Sequence, residues 1–387
     1  MDEIKVVGGG IAGLVGAITA AERGVPARLF EAHSELGGRA RSAGPPYYAN
    51  LGPHVLYKGG SVWNWLAERE LLPPTAGLPL APIRLRHQGE LRRRPPLAAV
   101  PAALRLRGRR APDDIAFRDW VGGYCEPETA ELLSMAAGVY TFHHDPGELS
   151  AAFVWERTVR TLLSKPTVRY VIGGWSALVA ALESHARAVG VQVETGAPVD
   201  QLPAGPVVVA TELRDARELL GDESLSWPSG RTVCLDLGVQ HRRGDPFVVS
   251  DLDEAGWAER FTAADPTLAP DGEELIQAQM PVRPGEDIEA AAARLNELLA
   301  LAYDDLDART VWRRRQFMDG RSGALDHPGY TWRDRPAVER GDGVFVAGDC
   351  VAAPGLLSEV ALTSGVQAGQ AAAEAARGSA ARLRRVA

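Results

Sequence analysis

The hexapeptide Gly8-Gly9-Gly10-Ile11-Ala12-Gly13 fits G-x-G-x-x-G and stands directly after an apolar run, at the head of a helical segment. Ile4 to Val7 reads as a short buried parallel strand. Leu14 to Arg23, mostly small or apolar, reads as a helix packed closely on a sheet and ended by Gly24. Ala27 to Phe30 supplies a second strand that closes with Glu31 and Ala32. In such a unit Gly8 permits the tight turn, Gly10 lets a pyrophosphate approach the backbone, and Gly13 lets helix and strand pack. Free N–H groups at the helix start, around Ile11 and Ala12, then stabilise phosphate charge together with the helix dipole. Glu31 lies 18 residues past Gly13, where a carboxylate accepts hydrogen bonds from ribose hydroxyls and repels a 2′-phosphate. Dinucleotide binding is therefore expected.

A length of 387 residues allows two cores, or one large domain with a second built into it. The balance of 45% hydrophobic and 24% charged residues is that of a globular protein in water. No apolar run approaches the roughly 20 residues needed to cross a bilayer, so no integral membrane segment is expected. Ile11 to Ala21 is apolar but broken by Gly13 and Gly16 and preceded by Asp2 and Glu3, which argues against an export signal. Cys125, Cys234 and Cys350 have no paired spacing. That is neither a disulfide framework nor a metal site, and it suits a reducing cytoplasm. The net charge of -8 argues against a nucleic-acid partner.

Fragments of similar texture recur far downstream. Trp175 to Val189 reads as an amphipathic helix, followed by strands at Val191 to Glu194 and Pro206 to Ala210. Val344 to Ala347 reads as another buried strand, and about Ser358 to Ala376 as a helix. Between them lie a hairpin around Gln88-Gly89, an alternating strand at Thr232 to Leu237, and a helix around Asp287 to Tyr303. The expected fold class is α/β: a doubly wound, mainly parallel Rossmann-type sheet with an inserted α+β substrate domain. The expected division assigns 1–83, 170–212 and 314–387 to the nucleotide domain, and 84–169 and 213–313 to the substrate domain.

Three further segments narrow the cofactor. Glu35-Leu36-Gly37-Gly38-Arg39-Ala40-Arg41-Ser42 follows the ribose carboxylate closely, Gly343 to Val346 is a strand that ends in Ala347-Gly348-Asp349, and Pro354-Gly355-Leu356-Leu357-Ser358-Glu359-Val360-Ala361 leads into the last helix. Together with the opening glycine turn, they resemble the flavoprotein superfamily of amine oxidases, phytoene desaturases and protoporphyrinogen oxidases. The resemblance implies non-covalent FAD. It implies that Gly38 passes close to the cofactor and that Arg39 meets the pyrophosphate. It places Asp349, after Gly348, at the ribityl–phosphate region. The start of the last helix, with Leu356, Leu357, Ser358 and Val360, falls at the pyrimidine end of the flavin, where helix N–H groups stabilise charge on the reduced ring. Read without the family, Asp349 could be a capping or turn residue. Asn50-Leu51-Gly52-Pro53-His54 resembles the loop beside the isoalloxazine, Gly173-Gly174-Trp175 the turn re-entering the FAD domain, and Gly196-Ala197-Pro198-Val199 the segment meeting the adenine.

The chemistry is less sharply drawn. On the amine oxidase pattern Leu357 falls where an aromatic cage residue is common, and the chain has no lysine after Lys165 to stand near flavin N5. Both departures count against a typical amine oxidase, and aliphatic residues such as Leu356 and Leu357 better suit a dehydrogenase or desaturase acting on a C–C, C–N or C–O bond. The expected function is an FAD-dependent dehydrogenase, desaturase or oxidase of a small organic substrate, in specialised metabolite biosynthesis for example. Molecular oxygen or another electron acceptor then re-oxidises the flavin. An amine oxidase, a redox-neutral flavin isomerase and a non-catalytic flavin-binding subunit are the alternatives. Candidate catalytic residues are His54 and Lys58, in the segment expected beside the flavin, and His143, which with Tyr140 and His144 precedes Asp145-Pro146. Packing or capping is the competing role for each. The arginines between Arg84 and Arg110 read as a solvated hairpin and loop, with an anionic substrate or a membrane surface as the other reading.

Overall fold

Short runs rich in β-branched residues, Ile4–Val7, Val207–Val209 and Val344–Val346, form adjacent strands of the first sheet of the computed structural model, which describes residues 2–51, 55–96, 98–164 and 167–386. In chain order the strands begin with β1 (Ile4–Val7), β2 (Ala27–Glu31), β3 (Leu56–Tyr57), β4 (Thr75–Ala76), β5 (Ile83–His87), β6 (Glu90–Arg92), β7 (Val168–Val171) and β8 (Gln192–Thr195). They continue with β9 (Val207–Val209), β10 (Ser229–Gln240), β11 (Val248–Asp251), β12 (Trp257–Arg260), β13 (Glu273–Pro281), β14 (Thr310–Ala324), β15 (Glu339–Gly341) and β16 (Val344–Val346).

The first sheet runs β15-β16-β9-β1-β2-β8. All its pairings are parallel except the antiparallel edge strand β15. Ile4, Val6 and Val207 to Val209 are fully buried, as strands covered on both faces must be. The first helix, Ile11–Glu22, and the C-terminal helix, Ser358–Val386, pack into the same core as Leu29, Leu178 and Phe345. They touch backbone to backbone: a β-carbon on Gly365 would come 2.4 Å from the Ala12 carbonyl, and one on Gly369 2.3 Å from that of Gly16.

The second sheet runs β14-β10-β13-β12-β11-β5-β6 and is antiparallel except where β11 meets β5. The expected hairpin is present, with Gln88 and Gly89 both at positive φ (55° and 74°), as a two-residue turn of this kind requires. Strand β10 alternates. Val233, Leu235, Leu237 and Val239 pack with Leu295 and Leu298 of the helix Ile288–Ala302. Thr232, Cys234 and Asp236 lie on the other face. Phe117, Trp120 and Trp155 anchor a helical unit within 98–164. Strands β3, β7 and β4 form a small third sheet between these parts of the chain.

The structure differs from the sequence reading at several edges. The expected boundary at 313/314 falls inside β14, and the first sheet resumes only at Glu339. The Arg313-Arg314-Arg315 run masks the period-two pattern of that edge strand. The boundary at 169/170 likewise falls inside β7. The first helix starts at Ile11 rather than Leu14, and the last runs on to Val386, past Ala376. None of the helices among the described residues is long and apolar enough to cross a membrane.

Candidate active site

A cavity of about 880 Å³ runs from the glycine turn of the first sheet to the polar face of β10 and β14. That is within the usual range of roughly 300–1,000 Å³ for small-molecule and cofactor sites. At one end the chain turns at Gly8, which has φ +104° and whose added β-carbon would lie 2.6 Å from the Ala210 carbonyl. A β-carbon on Gly13 would sit 1.9 Å from the Gly8 carbonyl, so helix and turn interlock there. Gly10 is different: a β-carbon would meet nothing within 4 Å. Its open side lines the cavity with Ile11 and Ala12, in the first turn of a helix, where N–H groups have no intrahelical acceptor. This is a cradle that a side chain would fill, and it fits an anionic diphosphate.

Glu31, 7% exposed, closes the same end. Its Oε2 accepts from the Gly9 N–H at 2.7 Å, and its Oε1 from the N–H (2.9 Å) and ring Nδ1 (2.8 Å) of His33. Burial raises the carboxyl pKa, but these hydrogen bonds outweigh it and hold the group below the usual range. Ala32 and Val199 line the cavity beside it, and the Ala197 N–H donates to the Glu31 carbonyl at 2.9 Å. The Gly37 N–H donates to the Gly9 carbonyl at 2.7 Å, which draws the Gly37-Gly38-Arg39 turn against the glycine loop.

Arg39 reaches the far segment. It donates to both oxygens of Asp349, at 2.7 and 2.9 Å, and to the Arg321 carbonyl at 2.5 Å. Burial raises the Asp349 carboxyl pKa, and Arg39 brings it below the usual range. Arg321 in turn donates to Glu212 at 2.8 Å, so the end of β14 is tied to the segment after β9. The Gly348-Asp349 turn is pinned from behind by Ser364 of the C-terminal helix, whose hydroxyl accepts from the Gly348 N–H at 3.0 Å. Leu357, at φ +54°, and Ser358 line the cavity at the start of that helix. Glu359, 2% exposed, accepts from the Leu356 N–H at 2.9 Å and forms a two-point ion pair with Arg160 at 2.6 and 2.8 Å.

The expected site residues therefore sort into groups. Gly8, Gly10, Ile11, Ala12, Glu31, Ala32, Gly38, Arg39, Val199, Gly348, Asp349, Leu357 and Ser358 share one cavity. Gly13, Leu356 and Val360 pack behind its wall instead of lining it, since the first is locked against Gly8 and the other two are 2% and 1% exposed. Gly52, Pro53 and His54 lie outside the described residues. Lys58 is exposed and does not line the cavity. Nor does His143: its Nδ1 donates to the Asp145 carbonyl at 2.7 Å, and burial, followed by the neighbouring His144, pushes its pKa down to about 4. Tyr140 is a core residue whose hydroxyl bonds Thr158. Lining residues that the sequence did not signal include Phe142, Trp227, Thr232, Cys234, Met318 and Arg321.

The sequence pattern of the NAD(P)-binding Rossmann-like domain family matches residues 6–69. No curated protein resembles the chain closely enough in sequence to count as a match. Solved structures resemble it over nearly its whole length. An oxidoreductase from Methanosarcina mazei is 16% identical, with 95% of this chain and 100% of that one covered at a TM-score of 0.78. Cyclohexylamine oxidase from Brevibacterium oxydans IH-35A is 16% identical, with 96% and 98% covered at 0.71. Reduced UDP-galactopyranose mutase is 11% identical, with 96% and 95% covered at 0.67. The chain thus shares the overall fold of these three structures.

Proposed function

We propose that this protein is an FAD-dependent oxidoreductase acting on a small organic molecule. The observation that carries the reading is that the opening glycine turn and the Gly348-Asp349 segment line one cavity and are joined by Arg39. An extended dinucleotide needs contacts of this kind at well-separated points. Glu31 and Val199 would hold the adenosine end, and Gly10, Ile11, Ala12 and Arg39 the pyrophosphate. Asp349 would hold the ribityl chain, with Leu357 and Ser358 at the ring. No covalent attachment is invoked.

When bound, the flavin supplies a hydride acceptor at N5. The chain's own task is to seat the substrate between that end and the second sheet, and to keep water out. Phe142, Met318 and Leu357 give that end an apolar lining suited to it. Among the described residues of that lining, Phe142, Met318 and Leu357 offer no base for the proton that accompanies hydride loss.

The test is anaerobic mixing of the FAD-loaded protein with candidate metabolites, followed by readmission of oxygen. Bleaching by a metabolite supports the oxidoreductase, and the speed of recolouring separates oxidase from dehydrogenase. A metabolite that turns over only on the pre-reduced protein, with no acceptor consumed, would replace it with a redox-neutral isomerase. An unresponsive flavin would leave a binding subunit.

A further inference from the structure

The arginine-rich stretch that ends at Arg110 takes no part in the cavity. From Arg92 to Arg110 the chain carries seven arginines and no acidic residue, within a protein of net charge -8. Arg93, Arg94, Arg105, Arg107, Arg109 and Arg110 are all exposed, and none makes an ion pair with a described residue. The acidic residues that flank the stretch do not reach these six: Glu90 takes Arg92 (3.8 Å), and Glu131 takes Arg118 (2.5 Å). Arginines elsewhere are commonly held in pairs, as Arg118 is by Glu131 and Asp145, and Arg340 by Asp222. Six like charges within eighteen residues repel one another, and no described carboxylate offsets that.

The helix Ala99–Leu106 sets how these charges are displayed. Ala102, Ala103 and Leu106 turn inward onto the core of Phe117 and Trp120. Val100 and Leu104, one turn apart, share a stripe on the outer side and are 46% and 55% exposed. Arg105 follows Leu104 on the outer side, and Arg107 extends the stripe beyond it. Exposed Tyr124 joins them, because the Arg109 guanidinium lies over its ring, 4.5 Å from the centroid. The face thus combines aliphatic side chains, a phenol ring and unpaired cations, all open to solvent. Helices that lie in a membrane interface have this make-up, with apolar groups in the acyl boundary and cations on anionic headgroups. Tyrosine favours the same headgroup level. A nucleic-acid backbone would use the cations but has no use for Val100 and Leu104.

We propose that this face docks the protein on the surface of an anionic lipid bilayer. The six unpaired arginines meet the headgroup charges, while Val100, Leu104 and Tyr124 enter the boundary beneath them. The attachment is peripheral, through side chains on one helix and the segments that flank it. It stands apart from the flavin reading, since the face and the cavity share no residue.

Co-sedimentation of the full chain with vesicles tests it, using phosphatidylcholine alone and phosphatidylcholine mixed with phosphatidylserine. The expected result is binding to the mixed vesicles at least about tenfold tighter than to the neutral ones at about 0.1 M salt, and its loss at about 1 M. Each arginine removed should weaken binding about fivefold, so Arg105→Gln, Arg107→Gln, Arg109→Gln and Arg110→Gln together should abolish it. Leu104→Ser should weaken it several-fold with the same salt dependence. Arg187→Gln, on an exposed helix elsewhere, should change nothing. Equal binding to both vesicles, or binding to neither, overturns the proposal from the wild-type protein alone, whether or not the variants fold. Full binding by a folded quadruple variant overturns it too, and so does release of the protein from mixed vesicles by duplex DNA at equal phosphate, which would mark a nucleic-acid surface.

Discussion

Arg39 grips both carboxylate oxygens of Asp349 from 310 residues away in sequence, at 2.7 and 2.9 Å. The pair joins the turn after β2 to the turn after β16, and both turns line the cavity. Replacing Arg39 with Met should reduce FAD retention about tenfold or more, because it removes a cation from the phosphate region and leaves Asp349 unpaired in the wall. A double-mutant cycle of Arg39→Met with Asp349→Asn, read by denaturant unfolding, should give a coupling of about 0.5–3 kcal/mol. Strict additivity would show that the pair contributes nothing.

The glycine turn separates packing from binding. Gly13→Ala forces a methyl onto the Gly8 carbonyl, 1.9 Å away, and should lower the melting temperature of the FAD-free protein, at a cost of roughly 1–3 kcal/mol. Gly10→Ala meets nothing within 4 Å and should leave that temperature unchanged while weakening FAD binding. Thermal melts with and without FAD check both halves. A Gly10→Ala protein that binds FAD as the wild type does would remove the phosphate cradle from the account.

Glu31 is held by Gly9 and His33, and only His33 is well exposed, with 73% of its side chain accessible. Glu31→Gln should therefore weaken FAD binding by about 1.5–3 kcal/mol, the scale of a lost charged hydrogen bond. His33→Ala should have a smaller effect, since its main-chain N–H still donates. Fluorescence titration of FAD checks the order, and an effect of His33→Ala equal to that of Glu31→Gln would contradict it.

Glu259 gives the fold a pH dependence of known sign. It is 5% exposed, accepts from the Tyr170 hydroxyl and from Trp257 Nε1 (3.2 Å), and burial raises its pKa from the ordinary 4.5 to about 7. The folded protein thus binds a proton that the unfolded chain has released, and stability falls as pH rises from about 4.5 through about 7. The loss is up to about 3 kcal/mol. Glu259→Gln should flatten the fall in melting temperature between acid and alkaline sides of that window, and an unchanged slope would show that Glu259 titrates normally.

Legibility in the sequence followed the range over which a feature is encoded. The strand–turn–helix of residues 4–31 and the Gln88-Gly89 hairpin are written in neighbouring residues, and both are present in the structure. The strand before Gly348-Asp349 is equally local. The charges along β14 hid its alternation, because an edge strand can carry arginines where a central strand cannot, and so the expected division at 313/314 falls inside that strand. Ser364 behind Gly348, and the meeting of Thr232 with Met318 at the cavity, depend on pairings across long separations that no local pattern announces. Lys58 and His143 were candidates by residue type and position alone, and their side chains lie away from the cavity.

One FAD lying along the cavity from Glu31 to Leu357 is the premise that the preceding FAD-binding predictions share. Titration of the purified chain with FAD, followed by desalting and visible spectroscopy, measures this directly. One tightly held FAD per chain, reduced in amount by Arg39→Met, Glu31→Gln and Gly10→Ala alike, is the predicted result. A colourless chain, or FAD retained equally by all three variants, would contradict it.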